Sequence, residues 1–340
     1  MKGPVRRYLS EHAVNLFSGN FLLLQASELM SDGVMQENQK AISDNCHIYL
    51  IGRRPLLHFC PETFAFDNGI VSGNVVYAKC GERKLVPFSV EFPLWDGAVR
   101  LELSAFPHRE FWTYNAQGEK VRQMSASALT TIHGLHVDLP DLCDVEVLYI
   151  GQAYGNGNRA AFDRLKSHST LQKILADVQY RTPESEIYLL LFEYHPYRII
   201  TMMDGMADAE VTGHEDTDRF FSIINNPLDK KQQICLTEAA LIRYFQPPYN
   251  KIYRDNFPSN KHKILEGCYK LDFSGLVAEI NTDELMLKLY SEAIEPSLHH
   301  ISKVNLVGHE NRCGFFHMSD GKGGFQETMQ GVLSEKSKGK

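Results

Sequence analysis

The sequence predicts an α+β protein in which a β-rich region precedes a core of mixed helices and strands. Three observations support this fold class. Short segments rich in β-branched and aromatic residues, separated by turn sequences, fill residues 1–130. From residue 145 onward, strongly apolar strand-like segments alternate with amphipathic helical segments. The chain has 340 residues, which suits two domains better than one compact core.

The first predicted domain spans residues 1–130 and begins with a short helical segment. Turn sequences such as Asp67-Asn68-Gly69 and Asp96-Gly97 separate its strands. A series of short strands of this kind predicts a β-sandwich or a small barrel, and its residues show no catalytic pattern. The expected strands are Cys46–Ile51, Ile70–Ala78, Leu85–Phe92, Ala98–Phe106 and Phe111–Tyr114.

The second predicted domain spans residues 131–262 and has a different character. Its first strand, Val145–Gly151, ends in a glycine-rich turn, and Asn158 is expected to cap the helix that follows. A second helix is expected to begin at Ser169 or Thr170. The strongly apolar segment Ile187–Tyr194 predicts a strand in the interior of a sheet.

The remainder of the chain predicts two helices, a tail and three further strands, Arg198–Met203, Cys268–Phe273 and Leu276–Ile280. Arg198–Met203 is expected to pair with the apolar strand before it, and Lys231–Phe245 has the pattern of an amphipathic helix. Residues 263–310 predict a small α/β appendage with a helix at 282–294. Residues 311–340 predict a flexible tail, because the end of the chain is rich in Gly, Ser and Lys.

The composition is that of an ordinary globular protein, with 43% hydrophobic and 23% charged residues. A net charge of −7 argues against a surface coated in basic residues, so any contact with nucleic acid must depend on a local patch. Residues 149–182 and 243–263 are the two stretches in which basic residues outnumber acidic ones clearly enough to form such a patch.

Cysteine usage and hydropathy bear on the compartment. The seven cysteines form no Cys-x-x-Cys pair and no cluster with histidine at zinc-ligand spacing, which favours reduced thiols in a cytosol. The longest early apolar run, Phe21–Leu24, is too short to cross a membrane. We therefore expect no signal peptide, no membrane anchor and a cytoplasmic location.

Four features in the middle of the chain occur in a suggestive order. Tyr149-Ile150-Gly151 ends a predicted strand, and Arg164 and His168 follow with the spacing of one helical turn. Glu238 lies near the expected start of a later helix, and Asn250 follows Pro247-Pro248-Tyr249. In this order and spacing, the region from Gly134 to Tyr253 resembles the GIY-YIG nuclease family. The resemblance implies a core in which a short antiparallel sheet is flanked by helices.

The first signature of that family, Gly-Ile-Tyr, should precede Tyr149 by ten to thirteen residues. The chain there contains Gly134-Leu135-His136. We therefore expect His136 to occupy the position of the first tyrosine, on a strand that pairs with the strand of Tyr149.

The resemblance implies hydrolysis of phosphodiester bonds in DNA, assisted by Mg²⁺ or Mn²⁺. A single carboxylate such as Glu238 would hold the metal ion, with water and phosphate oxygens at the other positions. Arg164 would bind the non-bridging phosphate oxygens through its planar guanidinium. Tyr149 and His136 would manage the proton of the attacking water, with His168 and Asn250 in support. The DNA is expected to contact Lys166, Arg243, Lys251 and Arg254.

Each of these residues also has an ordinary structural explanation. Tyr149 could be a packed strand residue, Asn250 could belong to turn chemistry, and Glu238 could favour the positive end of its helix. Because histidine replaces the tyrosine of the first motif, a second hypothesis is a non-enzymatic module of the same fold whose first motif has decayed and which binds nucleic acid or a protein. We expect the first domain to select the target by sequence, by structure or through a partner, and we expect a homodimer or a protein partner to form through this domain.

Overall fold

The computed structural model describes residues 5–30, 37–154, 161–211, 213–259, 261–307 and 312–328. Helices and strands are mixed along the chain, which confirms an α+β protein. The predicted cap at Asn158 lies outside the described residues. The strands are β1 (Arg6–Tyr8), β2 (Ser10–Gln25), β3 (Ile48–Pro55), β4 (His58–Phe59), β5 (Ala65–Asp67), β6 (Ile70–Lys79), β7 (Glu82–Glu91), β8 (Ala98–Leu103), β9 (Glu110–Asn115), β10 (Lys120–Ser125), β11 (Asp144–Gln152), β12 (Ser185–Tyr194), β13 (Arg198–Met203), β14 (Ala209–Val211), β15 (Gly275–Asn281), β16 (Lys288–Tyr290), β17 (His299–Asn305), β18 (His317–Ser319) and β19 (Phe325–Glu327).

In the part of the chain that the structure describes, eight α-helices accompany these strands. Three of them contribute to the candidate site: α4 (Ala161–Lys166), α5 (Ser169–Arg181) and α7 (Lys230–Phe245). Among the described residues, no helix is both long and apolar enough to cross a membrane. The helices are α1 (Glu37–Asn45), α2 (Ala126–Ile132), α3 (Pro140–Cys143), α4 (Ala161–Lys166), α5 (Ser169–Arg181), α6 (His214–Asn225), α7 (Lys230–Phe245) and α8 (Glu266–Lys270).

One large sheet organises the chain, with the strand order β16-β11-β3-β12-β2-β15-β17 and with β13 also paired to β2. Most pairs are antiparallel, but β11 with β16 and β2 with β15 are parallel. The sheet is therefore larger than the short antiparallel sheet that the sequence predicted. The segment Arg198–Met203 pairs with β2 and not with β12, which corrects that expectation. It continues the path of β12 along β2 after a break at Pro196, which cannot donate a backbone hydrogen bond.

Helices cover both faces of this sheet because its strands alternate two sets of apolar side chains. Ile48, Leu50 and Ile150 face the same side as α7, and they share its buried core. Tyr49 and Ile51 face the opposite side, where they pack with residues of α4 and α5. Side chains of β3 and β11 thus reach both layers.

The predicted boundary at residue 130 is not a boundary in the fold. Strands β2 and β3, from the predicted first domain, are interior strands of the same sheet as β11 and β12. The separate β-rich unit is residues 56–143, which carry β4–β10 with α2 and α3. This insert has its own buried core, which includes Phe59, Val75 and Phe111. It therefore interrupts the main sheet between β3 and β11 instead of preceding it.

The beginning and end of the described chain also differ from expectation. The predicted helical start is the long strand β2, and the predicted helix at 282–294 is a 3₁₀ turn followed by β16. Residues 263–310 form no appendage, because β15, β16 and β17 belong to the main sheet.

Buried ion pairs tie residues 312–328 to the sheet, which corrects the predicted flexible tail for this segment. Arg312 lies 2.6 Å from Glu11 and 2.7 Å from Asp272. Arg6 pairs with Asp204 at 3.1 Å and donates to the backbone carbonyl of Cys313. Charged groups buried in matched pairs hold this segment in place, since removing one partner leaves the other charge uncompensated.

Candidate active site

Two tyrosines from neighbouring strands define the centre of the candidate site. Strands β3 and β11 run antiparallel, and their register places Tyr49 opposite Gly151 and Tyr149 opposite Ile51. The Tyr49 side chain is buried, Tyr149 is partly buried, and their ring centroids lie 6.2 Å apart. The strand that pairs with Tyr149 is therefore His47-Ile48-Tyr49 and its continuation, about a hundred residues earlier in the chain.

His136 is not part of this cluster, so its expected position beside Tyr149 is wrong. It lies in the turn after α2, where its side chain is buried. Its Nδ1 is 3.2 Å from the carbonyl oxygen of Thr130, and its Nε2 is 2.9 Å from that of Leu285. Both ring nitrogens thus have backbone partners, and the residue holds the insert to the turn before β16.

Gly151 makes room for the Tyr49 hydroxyl. A Cβ atom at position 151 would lie 2.5 Å from Tyr49 Oη and 2.8 Å from a ring carbon of Tyr149. Real Cβ atoms do not approach other atoms so closely, and the backbone of Gly151 needs no left-handed conformation. The glycine of the Tyr-Ile-Gly sequence is therefore required for space.

We expect Gly151→Ala to displace the Tyr49 ring and to lower any activity of this site by about 10²-fold, the effect of misplacing a reacting group by an ångström. Single-turnover rates would measure the loss, and circular dichroism would show that the fold survives. Gly205→Ala is the matched control, because a Cβ there meets no atom within 4 Å. Equal activity of both variants and the unmodified chain would contradict the steric explanation.

Arg164 and His168 both reach Tyr49, although they do not share a helix as the spacing predicted. Helix α4 ends at Lys166, and His168 is the N-cap of α5 in extended backbone conformation. The His168 Nε2 lies 3.3 Å from Tyr49 Oη, and Arg164 also hydrogen-bonds that hydroxyl. The break between the helices turns His168 inward, and Arg164 remains exposed to solvent.

The environment keeps these groups in definite protonation states. Burial lowers the pKa of His168, and the nearby Arg164 charge lowers it further, so the imidazole is neutral near pH 7. Burial raises the pKa of Tyr49 well above the ordinary value, and Tyr149 adds to that rise, which Arg164 partly opposes. Burial and the charge of Glu238 raise the pKa of Tyr149. Both tyrosines are therefore neutral phenols.

The Nδ1 atom of His168 is buried and has no hydrogen-bond partner among the described residues. Unpartnered buried polar atoms are uncommon in folded proteins and often mark functional positions. A neutral histidine with one nitrogen on a tyrosine hydroxyl has the capacity to take up that hydroxyl's proton.

Glu238 approaches the site from the other face of the sheet. It lies in the middle of α7, more than two turns from the first residue, so the expected position near the helix start is wrong. Gln152, the last residue of β11, donates to its carboxylate from both the side chain and the backbone N–H. Burial raises the pKa of Glu238 to about 7, although the hydrogen bonds from Gln152 and the Arg164 charge oppose this rise. Arg164 and Gln152 therefore offset the effect of burial on this carboxylate only in part.

Asn250 has a structural role instead of a place at the site. Its side-chain oxygen accepts from the Ile150 N–H at 2.9 Å, and its amide nitrogen donates to the Ile150 carbonyl at 2.8 Å. The backbone N–H of Tyr249 donates to the carbonyl of Leu148. These hydrogen bonds resemble those that a further strand would make with β11. They fix the backbone at Tyr149 and Gly151.

The four residues expected to contact DNA have different surroundings. Lys166 and Lys251 are exposed, and the Lys166 ammonium lies 4.6 Å from the centre of the Phe162 ring. Arg243 is partly buried and donates to the carbonyl of Arg254 at 3.0 Å. This hydrogen bond holds the loop that contains Arg254. Arg254 is also partly buried and lies 3.8 Å from Asp255.

The residues present could hold a metal ion at Glu238 only if most of its ligands are not protein side chains. Among the described residues, no three His, Cys, Asp or Glu side chains are grouped so as to hold an ion. A divalent ion at Glu238 would therefore complete its coordination with water and phosphate oxygens, as Mg²⁺ commonly does. The raised pKa of Glu238 is consistent with such a site, because a nearby cation would stabilise the ionised carboxylate.

The sequence suggested four of the residues that the structure brings together, Tyr149, Arg164, His168 and Glu238, but not the fifth, Tyr49. The available signal was the tripeptide His47-Ile48-Tyr49 at the start of a predicted strand. That tripeptide lies about a hundred residues before Tyr149, far beyond the ten to thirteen residues that the family's spacing implies. Comparison with protein-family models, curated proteins and solved structures finds no match for this chain.

Proposed function

We propose that the chain is a metal-dependent endonuclease with an active site of the GIY-YIG type, which hydrolyses phosphodiester bonds in DNA. The observation that carries this proposal is the convergence of Tyr49 and Tyr149, from adjacent antiparallel strands, with Arg164, His168 and Glu238. The ordered family features, including a tyrosine on each of two paired strands, support the assignment.

Tyr49 and His168 together accept the proton of the attacking water. The water gives its proton to Tyr49 Oη, and the tyrosine passes its own proton to Nε2 of His168, which lies 3.3 Å away. The tyrosine remains neutral overall, so its raised pKa is no obstacle. The neutral imidazole is the final acceptor, as a general base titrating below neutrality can be.

Arg164 and Glu238 serve the phosphate. The Arg164 side chain is exposed beside the Tyr49 hydroxyl, where its planar fork binds two non-bridging oxygens and stabilises the charge that grows on them. Glu238 would hold a divalent ion, and that ion supplies Lewis-acid stabilisation of the leaving oxygen. Tyr149 lies between these groups and orients the water or the phosphate.

A binding module without activity remains the second candidate. The binding module was suggested because the first-motif tyrosine is absent from the expected place before Tyr149. Tyr49 occupies the strand beside Tyr149, hydrogen-bonds His168 and contacts Arg164, so that reason no longer applies. An enzyme is therefore the better proposal.

Incubation of supercoiled plasmid with the purified chain tests the proposal. We expect nicked or linear DNA with Mg²⁺ or Mn²⁺, and intact DNA with chelator. Intact plasmid under all metal conditions, together with retained DNA binding, would favour the binding module.

We expect Arg164→Ala to slow cleavage by about 10²- to 10³-fold and to change DNA affinity much less, because its fork acts mainly in the transition state. Arg164→Lys should recover little of the rate, since an ammonium cannot hold two oxygens in one plane. Single-turnover rates and filter binding would separate the two effects. Arg181→Ala, an exposed arginine on α5, is the matched control. A lysine variant with nearly full activity would rule out bidentate phosphate binding.

A further inference from the structure

The outer face of the sheet β8–β10 in the insert carries two aromatic residues on its central strand. Trp112 and Tyr114 alternate along β9 with Phe111 and Thr113, which are buried in the insert core. Because successive strand residues point to opposite sides, both rings lie on the outer face. Each ring is partly exposed.

Two cations flank these rings. The register places Arg100 of β8 and Lys120 of β10 directly opposite Tyr114, one on each side. The Arg100 guanidinium carbon lies 4.7 Å from the centre of the Tyr114 ring, and the Lys120 ammonium lies 3.7 Å from that of Trp112. Aromatic faces beside cations are the chemistry with which proteins bind the bases and phosphates of single-stranded nucleic acid.

Two carboxylates share this face at its Trp112 end. Glu110 accepts from the Trp112 ring N–H at 2.8 Å, which fixes the ring and occupies that oxygen. Glu102 lies 2.9 Å from Arg100, and both side chains are about half exposed. An exposed ion pair of this kind contributes little free energy, so a phosphate can compete for Arg100. Phosphates are therefore expected at the Tyr114 end, between Arg100 and Lys120.

A cleft links the edge of this face to helix α4. Glu110 and Gln123, at the edge of the face, line this cleft of about 710 Å³, whose lining also includes Phe162 of α4, the helix that carries Arg164. Glu28 and Glu186 make the cleft itself acidic, so the cations of the sheet are the better place for a charged backbone.

We propose that this face binds single-stranded nucleic acid: the exposed Arg100 and Lys120 side chains move from the faces of Tyr114 and Trp112 to phosphates, and bases stack on the two rings. The insert would then select substrates that contain an unpaired segment. That choice of substrate rests on the proposed nuclease function, but the binding itself does not.

The chain offers a direct reporter, because its two tryptophans are Trp95 and Trp112. In Trp95→Phe, the emission comes from Trp112 alone, and titration with a twelve-residue oligothymidylate in chelator should quench it to saturation. Rising salt should weaken binding, since phosphates displace counterions. Tyr114→Ala in this background should weaken binding by about 5- to 100-fold, the range for losing one stacking platform.

Further variants keep the test decisive if Tyr114→Ala folds poorly. Arg100→Ala and Lys120→Ala should each weaken binding and reduce its salt dependence, whereas Tyr180→Ala, an exposed tyrosine on α5, should do neither. Unchanged Trp112 emission while fluorescence anisotropy shows the oligonucleotide bound would overturn the proposal. Two further results would overturn the proposal. One is a blunt duplex that displaces the oligothymidylate as well as unlabelled oligothymidylate does. The other is Trp112 emission that changes with protein concentration when no oligonucleotide is present.

The outcome is separable from that of the nuclease proposal. Quenching in chelator should persist in Glu238→Gln, because Glu238 lies outside this face. Quenching without any plasmid cleavage would contradict only the nuclease, and cleavage without quenching would contradict only the binding face.

Discussion

Replacing Tyr49 by phenylalanine should lower the rate of DNA cleavage by about 10²- to 10⁴-fold, the usual contribution of a positioned general acid or base. The variant removes the hydroxyl that contacts both His168 and Arg164, so the water loses its route for the proton. Affinity for DNA should change little, because this buried hydroxyl contributes to the reaction more than to binding. Single-turnover cleavage and anisotropy with a labelled duplex would measure the two quantities.

Tyr194→Phe is the matched control for this experiment. Its hydroxyl is also buried in the main sheet and donates to the backbone carbonyl of Glu279, outside the site. Losing that hydrogen bond should cost about 1 kcal/mol of stability and leave cleavage unchanged. If Tyr49→Phe cut DNA as fast as Tyr194→Phe, Tyr49 would have no part in the proton transfer.

Much of the fold near the site could be predicted from local pattern. The strands at Val145–Gly151 and Ile187–Tyr194 and the helix at Lys231–Phe245 lie within a few residues of β11, β12 and α7. Their apolar periodicity is a local property that follows from burial of one or both faces. Pairing between strands is different, because the spacing of residues along a chain does not encode which distant segment completes a sheet.

The misassignment of His136 illustrates this limit. An insert with its own core separates β3 from β11, so the strand that pairs with Tyr149 is far away in sequence. The insert's strands and β3 were predicted from the same β-branched and aromatic composition, and composition alone does not assign strands to different sheets. The steric need at Gly151 was equally hidden, since the Tyr49 ring that demands it comes from that distant strand.

The four-residue spacing predicted that Arg164 and His168 lie near each other, and they do, but they do not share a helix. Four residues apart on one helix would place them on one face. The chain instead leaves α4 after Lys166 and begins α5 with His168 as its cap, yet both side chains still reach Tyr49. A short break between two helices preserved the proximity and changed the exposure of each residue.

Glu238→Gln should abolish metal-dependent cleavage, with a loss of at least about 10³-fold, because a neutral amide oxygen holds a divalent ion much more weakly than an ionised carboxylate does. The fold should survive, since the substitution keeps the shape of the side chain. Plasmid nicking with graded Mg²⁺ would measure the loss. Glu215→Gln, the same chemical change at an exposed position of α6, is the control and should cut normally.

The raised pKa of Glu238 also predicts a pH dependence with a definite sign. Only the ionised carboxylate binds the metal ion, so at low Mg²⁺ the activity should rise with pH through about 7 and then level off. A bound cation favours ionisation, so the midpoint should move to lower pH as Mg²⁺ is increased. A midpoint that ignores Mg²⁺ concentration would assign the titration to another group.

Without metal, the free energy of unfolding should fall as the pH rises and Glu238 ionises. The pKa of Glu238 is higher in the folded chain, at about 7, than the ordinary value of 4.5, so folding favours the protonated form. The resulting destabilisation is absent below the ordinary value, grows as the pH rises toward 7 and is complete above it. Glu238→Gln cannot ionise and should therefore gain thermal stability relative to the unmodified chain at pH 8, but not at pH 4. A Tm difference that is the same at both pH values would show that this carboxylate is not the buried group of raised pKa that the metal ion is proposed to neutralise.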